Sequence, residues 1–134
     1  MYHLYEYIIF FGLLGISFLA FILHKPEKPP IVLPRDKCES PIERRLYDSL
    51  RFNGYDVTPQ VRCGAYRIDL ALISHRLAIE CDGKQWHSTP SQKAHDRKKD
   101  RYLRKNGWKV IRFSGSQING QTAKVLQRIK KELG

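Results

Sequence analysis

The chain has 134 residues, room for one domain of ordinary size rather than two. A formal net charge of +11 and a pI near 9.8 point to a polyanionic partner, nucleic acid or an anionic membrane surface, without dividing the two. Three cysteines with no CxxC and no Cys/His zinc spacing exclude a complete disulfide framework and fit a reducing compartment.

The charge is unevenly placed. All 24 Lys and Arg and 12 of the 13 acids lie from Lys25 onward, so that part carries +12. Ahead of it, Leu4–Leu23 is apolar and free of charge from Ile8 on, with Tyr5 and Tyr7 as interfacial anchors. About 20 helical residues cover roughly 30 Å, one hydrocarbon core. A cleaved signal peptide and a buried helix are the competing readings, but no Lys or Arg precedes the segment and no A-x-A-like site follows. Lys25, Lys28, Arg35 and Lys37 come directly after it, so the positive-inside rule puts the rest of the chain in the cytoplasm. The expected organisation is a single-pass membrane anchor over 1–24, an extended linker over 25–37 and one folded domain over 38–134. Pro26, Pro29, Pro30 and Pro34 make the linker a semi-rigid spacer.

Ser40-Pro41-Ile42-Glu43 is a helix start, with an N-cap serine, proline at N1 and Glu43 completing a capping box. Ile42, Leu46 and Leu50 give that helix its buried stripe, and Asn53-Gly54 ends it. A short strand is predicted over Val57–Val61, with Gln60 inside it, before Gly64 turns the chain.

Tyr66–His87 reads YRIDLALISHRLAIECDGKQWH. Two apolar runs, Tyr66–Ile73 and Leu77–Cys81, flank Ser74-His75-Arg76 and predict a β-hairpin. Alternation places Ile68, Leu70 and Leu72 on one face and Arg67, Asp69 and Ala71 on the other. Closure with Ile73 opposite Arg76 sets Asp69 across from Glu80 and Arg67 across from Asp82. Like charges so placed, about 4.5–5.5 Å apart, are destabilising. A hard divalent cation held by carboxylate oxygens resolves the conflict. So does neutralisation of one acid by Arg67 with the other exposed, and spacing does not choose between them. Asp82-Gly83 ends the strand, and Trp86-His87 brings a histidine near enough to serve as general base.

A helix is predicted from about Ser91 to Asn106, stopped by Gly107. It carries Lys93, Arg97, Lys98, Lys99, Arg101, Arg104 and Lys105 against Asp96 and Asp100. A charge run of this kind is often only a solvated face. Directly after a carboxylate hairpin it suits contact with a nucleic-acid backbone. Trp108–Phe113 reads as a buried strand, Asn119-Gly120 breaks the chain, and Gln121–Leu133 closes it as an amphipathic helix. The fold class is α/β, a small mixed β-sheet flanked by helices in the order α-β-β-β-α-β-α.

Taken together and in order, SPIERRLYDSLR, Gln60, YRIDLAL, LAIECDGKQWH and HDRKKDRYLRKNGWKVIRF resemble the PD-(D/E)XK superfamily of restriction-endonuclease-like proteins. Within it, the stretch from about Ser40 to Ile118 is most similar to the very-short-patch-repair endonucleases and their related domain-of-unknown-function family. The resemblance implies a restriction-endonuclease-like fold and a metal-dependent nuclease acting on DNA, with RNA left open. Asp69 matches the central metal-binding Asp, and Glu80 the acidic position of the third motif. Asp82 stands where that motif usually has Lys, and joins the expected metal set of Asp69, Glu80 and Asp82. His87 matches the repair enzymes' active-site histidine and Glu43 their helix acid. Lys84, two residues late, is the candidate for a displaced positive charge. The implied cofactor is Mg²⁺ or Mn²⁺, with no small-molecule cofactor and no structural zinc. Gln60 and the seven cations of the basic helix are the expected nucleic-acid contacts. The alternative reading, prompted by Asp82, is a catalytically inactive nuclease-fold module that binds nucleic acid at the membrane. A third takes the basic domain as a membrane-surface or partner-binding element with structural acids.

Overall fold

The computed structural model describes residues 2–24, 33–83 and 89–134, in two units, Met1–Ile31 and Val32–Gly134. In the first, helix α1 (Tyr2–Leu23, 22 residues) is long and apolar enough to cross a membrane by length and composition. Its large apolar side chains, Ile8, Phe11 and Phe21 among them, are exposed.

The second unit begins with a 3₁₀ turn, Pro34–Lys37, clamped to the next helix by the Arg35 guanidinium, which donates to both oxygens of Asp48 at 2.7 and 2.8 Å. That helix, α2 (Pro41–Phe52), starts at the N-cap Ser40, whose Oγ accepts from the Glu43 N–H. The Glu43 carboxylate does not close the reciprocal box on Ser40 N–H. It reaches one residue further back and accepts from Glu39 N–H (2.9 Å), and it also takes the Ser40 hydroxyl (2.8 Å).

A four-stranded sheet follows in spatial order β1-β2-β3-β4, built from Thr58–Cys63, Tyr66–Leu72, Leu77–Asp82 and Lys109–Ser114. The first two pairings are antiparallel and β3–β4 is parallel, so a crossover is needed between them. Helix α3 (Pro90–Lys105) supplies it. Its N-cap is Thr89 with Pro90 at N1 and Gln92 closing the box, the same Ser/Thr-Pro-x-Glu/Gln spacing as at the start of α2 and one residue before the expected start. After β4 a short helix α4 (Gly115–Gly120) precedes α5 (Thr122–Leu133). The observed order is therefore α-β-β-β-α-β-α-α, one helix more than expected. Ser114 and Gln117 form a capping box there, which outweighs the glycines at either end.

Both faces of the sheet are covered. On one, Leu46 and Leu50 of α2, Ile118 of α4 and Val125 and Ile129 of α5 pack on Leu70, Leu72, Leu77, Ile79, Ile111 and Phe113. On the other, Leu103 of α3 and Trp108 pack on Ala71, Ala78 and Val110. Ala71 faces Ala78 across the β2–β3 ladder, and two methyl groups at that point let α3 lie close.

The hairpin has the register that the alternation argument required, Leu70↔Ile79, Ala71↔Ala78 and Leu72↔Leu77. Its closure is looser than expected. Ile73–His75 form a 3₁₀ turn and Arg76 takes a left-handed φ of 51°, so Ile73 and Arg76 are not a ladder pair. Arg76 instead lies over the Trp108 ring (5.0 Å), and its carbonyl accepts from Lys109 N–H at 2.8 Å. Ile68 also departs from the expected face. It packs with Ala71 and Leu103 rather than with Leu70 and Leu72, and the break coincides with Gln60 on the neighbouring strand, held at a φ of 55°.

Candidate active site at the sheet centre

The ladder that pairs Leu70 with Ile79 brings Asp69 across from Glu80, and the parallel ladder sets Glu80 beside Arg112. On the other flank, Pro59↔Leu70 and Val61↔Ile68 carry Gln60 alongside Asp69. One polar row thus crosses four strands, Gln60, Asp69, Glu80 and Arg112.

Beyond Leu70↔Ile79 the backbone ladder gives way to a side chain, and Cys81 N–H donates to Asp69 Oδ2 at 2.8 Å. Glu80 is 2% exposed, and its Oε1 is buried with no hydrogen-bond partner among the described residues. Its Oε2 accepts from the Lys99 ammonium, which descends from α3 and is itself largely buried. Burial, and then the Asp69 charge, push the Glu80 carboxyl up to about 7, with Lys99 and Arg112 opposing. Burial likewise raises Asp69, against the Cys81 N–H bond and the Lys99 charge. The Cys81 thiol is pushed up by burial and by Asp69, so it is no nucleophile here.

Two adjacent carboxylates, one with an orphaned buried oxygen, fit a hard divalent cation. Mg²⁺ is commonly held by one or two carboxylates while waters and substrate phosphates complete its shell. Among the described residues no group of three His, Cys, Asp or Glu is placed to hold a metal.

Asp82, expected as a third ligand, does not join the pair. It sits at the half-exposed end of β3, where Arg112 donates to its Oδ1 at 3.1 Å. The same guanidinium takes both oxygens of Asp100 in α3 (2.6 and 3.2 Å), so Asp82 belongs to a bridge between β3, β4 and α3. Arg67 does not meet Asp82 either, and pairs with Glu39 at 2.6 Å. Glu43 is buried at 6% exposure and connects to the row through Gln60, whose Nε2 donates to Glu43 Oε2 at 2.9 Å. The strained backbone of Gln60 is what turns it there. Both Glu43 oxygens carry hydrogen bonds, which suits a positioning role. His87 and Lys84 lie outside the described residues.

Of the basic helix, Lys99 faces the carboxylates and Lys98 lines the cleft beside them. Arg104 donates to the Val110 carbonyl at 3.0 Å and so ties α3 to β4. Lys93, Arg97, Arg101 and Lys105 are exposed. The inward turn of Lys99 had a signal in the sequence. Leu103 is the buried anchor of α3, and counting back three, four and seven residues along that face reaches Asp100, Lys99 and Asp96. Arg112 had none beyond its place in a strand.

A central mixed sheet with an acidic pair on its two inner strands and helices on both faces is the restriction-endonuclease-like fold. The restriction-endonuclease-like family model REase_MTES_1575 matches residues 42–133, and the chain belongs to that family. It is 34% identical over 94 residues to the uncharacterized protein YcjD of Escherichia coli strain K12, covering 68% of this chain and 78% of that one. A Haemophilus influenzae protein, also uncharacterized, is 30% identical over 92 residues, 69% of this chain and 54% of the relative. Among solved structures, the catalytic domain of the homing endonuclease I-Bth0305I superposes with a TM-score of 0.58 at 24% identity. That match covers 70% of this chain and 94% of the other.

Proposed function

We propose that this protein is a membrane-anchored nuclease that hydrolyses DNA phosphodiester bonds with Mg²⁺ or Mn²⁺. The nuclease-like fold sets the class, and the buried Asp69–Glu80 pair with its unpartnered Oε1 is the observation that carries the reading. Asp69 and Glu80 hold the cation, which when bound supplies Lewis acidity to the phosphate and lowers the pKa of a bound water. Cys81 N–H fixes one oxygen of Asp69, and Lys99 fixes one oxygen of Glu80, so the other oxygens are presented in a set orientation. Lys99 also supplies positive charge beside the pair to offset what develops on the phosphate. That role matters for the choice between catalysis and mere binding. The binding-only reading rests on Asp82 occupying the place of a lysine, and an ammonium reaches Glu80 from α3 instead. The resemblance assigns His87 to accept the proton of the attacking water. Exposed Lys98 neutralises a neighbouring phosphate. Helix α1 holds the whole at a membrane, with the second unit in the cytoplasm.

The full chain in detergent, with supercoiled and single-stranded DNA in Mg²⁺, Mn²⁺ or EDTA, tests this. Cutting in metal that falls by about a hundredfold or more in both Asp69→Ala and Glu80→Ala, with DNA still bound, is the expected outcome. Cleavage by Asp69→Ala at the wild-type rate would refute the site. Salt-dependent binding without any cutting would leave the chain a nucleic-acid-binding module.

A further inference from the structure

Beside the acidic pair lies an open cleft of about 480 Å³, with Tyr66, Arg67, Asp69, His95, Lys98 and Lys99 among its lining residues. Asp69 and Lys99 belong to the site already described. Two of the cleft's lining residues, Tyr66 and His95, are aromatic. The Tyr66 and His95 rings meet edge to face at 5.9 Å, 60° apart, and make a corner open to the cleft. Behind them Tyr102 tilts against Tyr66 at 5.3 Å and does not itself line the cleft. Tyr102 fits there because residue 64 is glycine. A Cβ at Gly64 would fall 2.1 Å from its hydroxyl oxygen, and the φ of 57° there also suits glycine. Tyr66 is thus braced before any ligand arrives. Its position on the same strand, three residues before Asp69, fixes how far the aromatic corner stands from the carboxylates.

We infer that this cleft is a subsite for one unpaired nucleobase next to the scissile phosphate, which makes the substrate a strand that is single, flapped or locally opened. The inference rests on the nuclease reading and adds the substrate class. Every base has an apolar face, and stacking on aromatic side chains is how proteins take single strands without reading their sequence. In a duplex those faces are covered by neighbouring base pairs, so a base must leave the stack to reach the corner. Exposed Lys98 and Arg67, the latter in its pair with Glu39, line the same cleft as the rings. That pair offers a donor and an acceptor to a base edge, while Lys98 meets the phosphate. A deep duplex backbone track would call for cations alone, and aromatic residues would add nothing to it.

The test uses the full chain in detergent and an oligonucleotide carrying 2-aminopurine, single-stranded or in a duplex, with EDTA present to keep it intact. We expect the single strand to bind about tenfold tighter than the duplex, with the fluorophore quenched on binding. Tyr66→Leu and His95→Ala should each weaken that binding about tenfold and remove most of the quenching, and Tyr66→Phe should retain both. His95 is exposed on α3, so its loss does not threaten the fold. Equal affinity for duplex and single strand, or quenching unchanged in both truncated variants, would overturn the subsite. If the protein then still cuts DNA in Mg²⁺ in an Asp69-dependent way, the nuclease reading survives alone. If it binds no nucleic acid at all, both fall.

Discussion

Glu80 is held between two opposing demands. Burial and the adjacent Asp69 favour its proton, while the Lys99 ammonium favours its charge, and burial wins far enough to bring it to about 7. A carboxyl raised above its unfolded value of about 4.3 binds more protons in the folded than in the unfolded chain between those two values. Stability from this group is therefore present at low pH and is lost as pH rises through that window. Glu80→Gln removes the titration while keeping an oxygen for Lys99. In metal-free buffer, melts of variant and wild type should diverge in the variant's favour by on the order of 1–3 kcal/mol between pH 5 and 8. A constant difference across that range would mean that Lys99 keeps Glu80 ionised throughout. At this scale Asp69 and Glu80 were legible because strand alternation and one hairpin register suffice to place them together. Lys99 was legible only indirectly. A run of seven cations on one helix says which of them turns inward only by counting back from Leu103, the buried leucine of that helix. Asp82 misled for a similar reason, since its partner Arg112 comes from a strand that pairs only through a crossover.

The element that carries Lys99 to the acids has little buried apolar surface for its length. Over 16 residues, α3 has one buried side chain, Leu103, and is otherwise held by its capping box, by Lys99 at Glu80, Arg104 at the Val110 carbonyl and Asp100 at Arg112, and by the Tyr102 and His95 rings against Tyr66. Leu103→Ala should cost about 2–5 kcal/mol in urea unfolding, as a buried leucine truncation does. It should also lower DNA cleavage more than the remaining folded fraction accounts for, because the helix that aims Lys99 and Lys98 loses its anchor. Cleavage that tracks the folded fraction alone would show that α3 needs no precise seating for function. Helix starts were legible from short signals. At Ser40, Thr89 and Ser114 the N-cap hydroxyl oxygen accepts from the N–H three residues on, and Gln92 and Gln117 close the reciprocal half that Glu43 leaves open. The third was hidden by Asn119-Gly120, which reads as a break when the capping residues before it are ignored. The kink at Gln60 was not legible, because a left-handed glutamine is sustained by Glu43, seventeen positions away in sequence.

For the whole molecule, the distribution of charge admits two routes to a membrane, and they differ physically. The part from Lys25 on carries +12 and is attracted to anionic lipid by a field that salt screens within about 10 Å at 0.1 M. Helix α1 offers the other route. Its 22 residues span about 33 Å at the helical rise, its span is long and apolar enough for one crossing, and Glu6 is its only acid or base besides His3. An inserted helix is held by apolar transfer, which ionic strength does not weaken. Membranes from cells expressing the full chain should therefore retain it through 1 M salt and through alkaline carbonate. A chain lacking residues 1–24 should wash off in salt if it binds membranes at all. Release of the full chain by salt would place it at the surface through its basic residues and remove the anchor from the proposal. Retention of the shortened chain in carbonate would assign the attachment to the second unit, where an apolar element would then have to be found. The nuclease chemistry is independent of both outcomes, since Asp69, Glu80 and Lys99 are held together within the second unit alone.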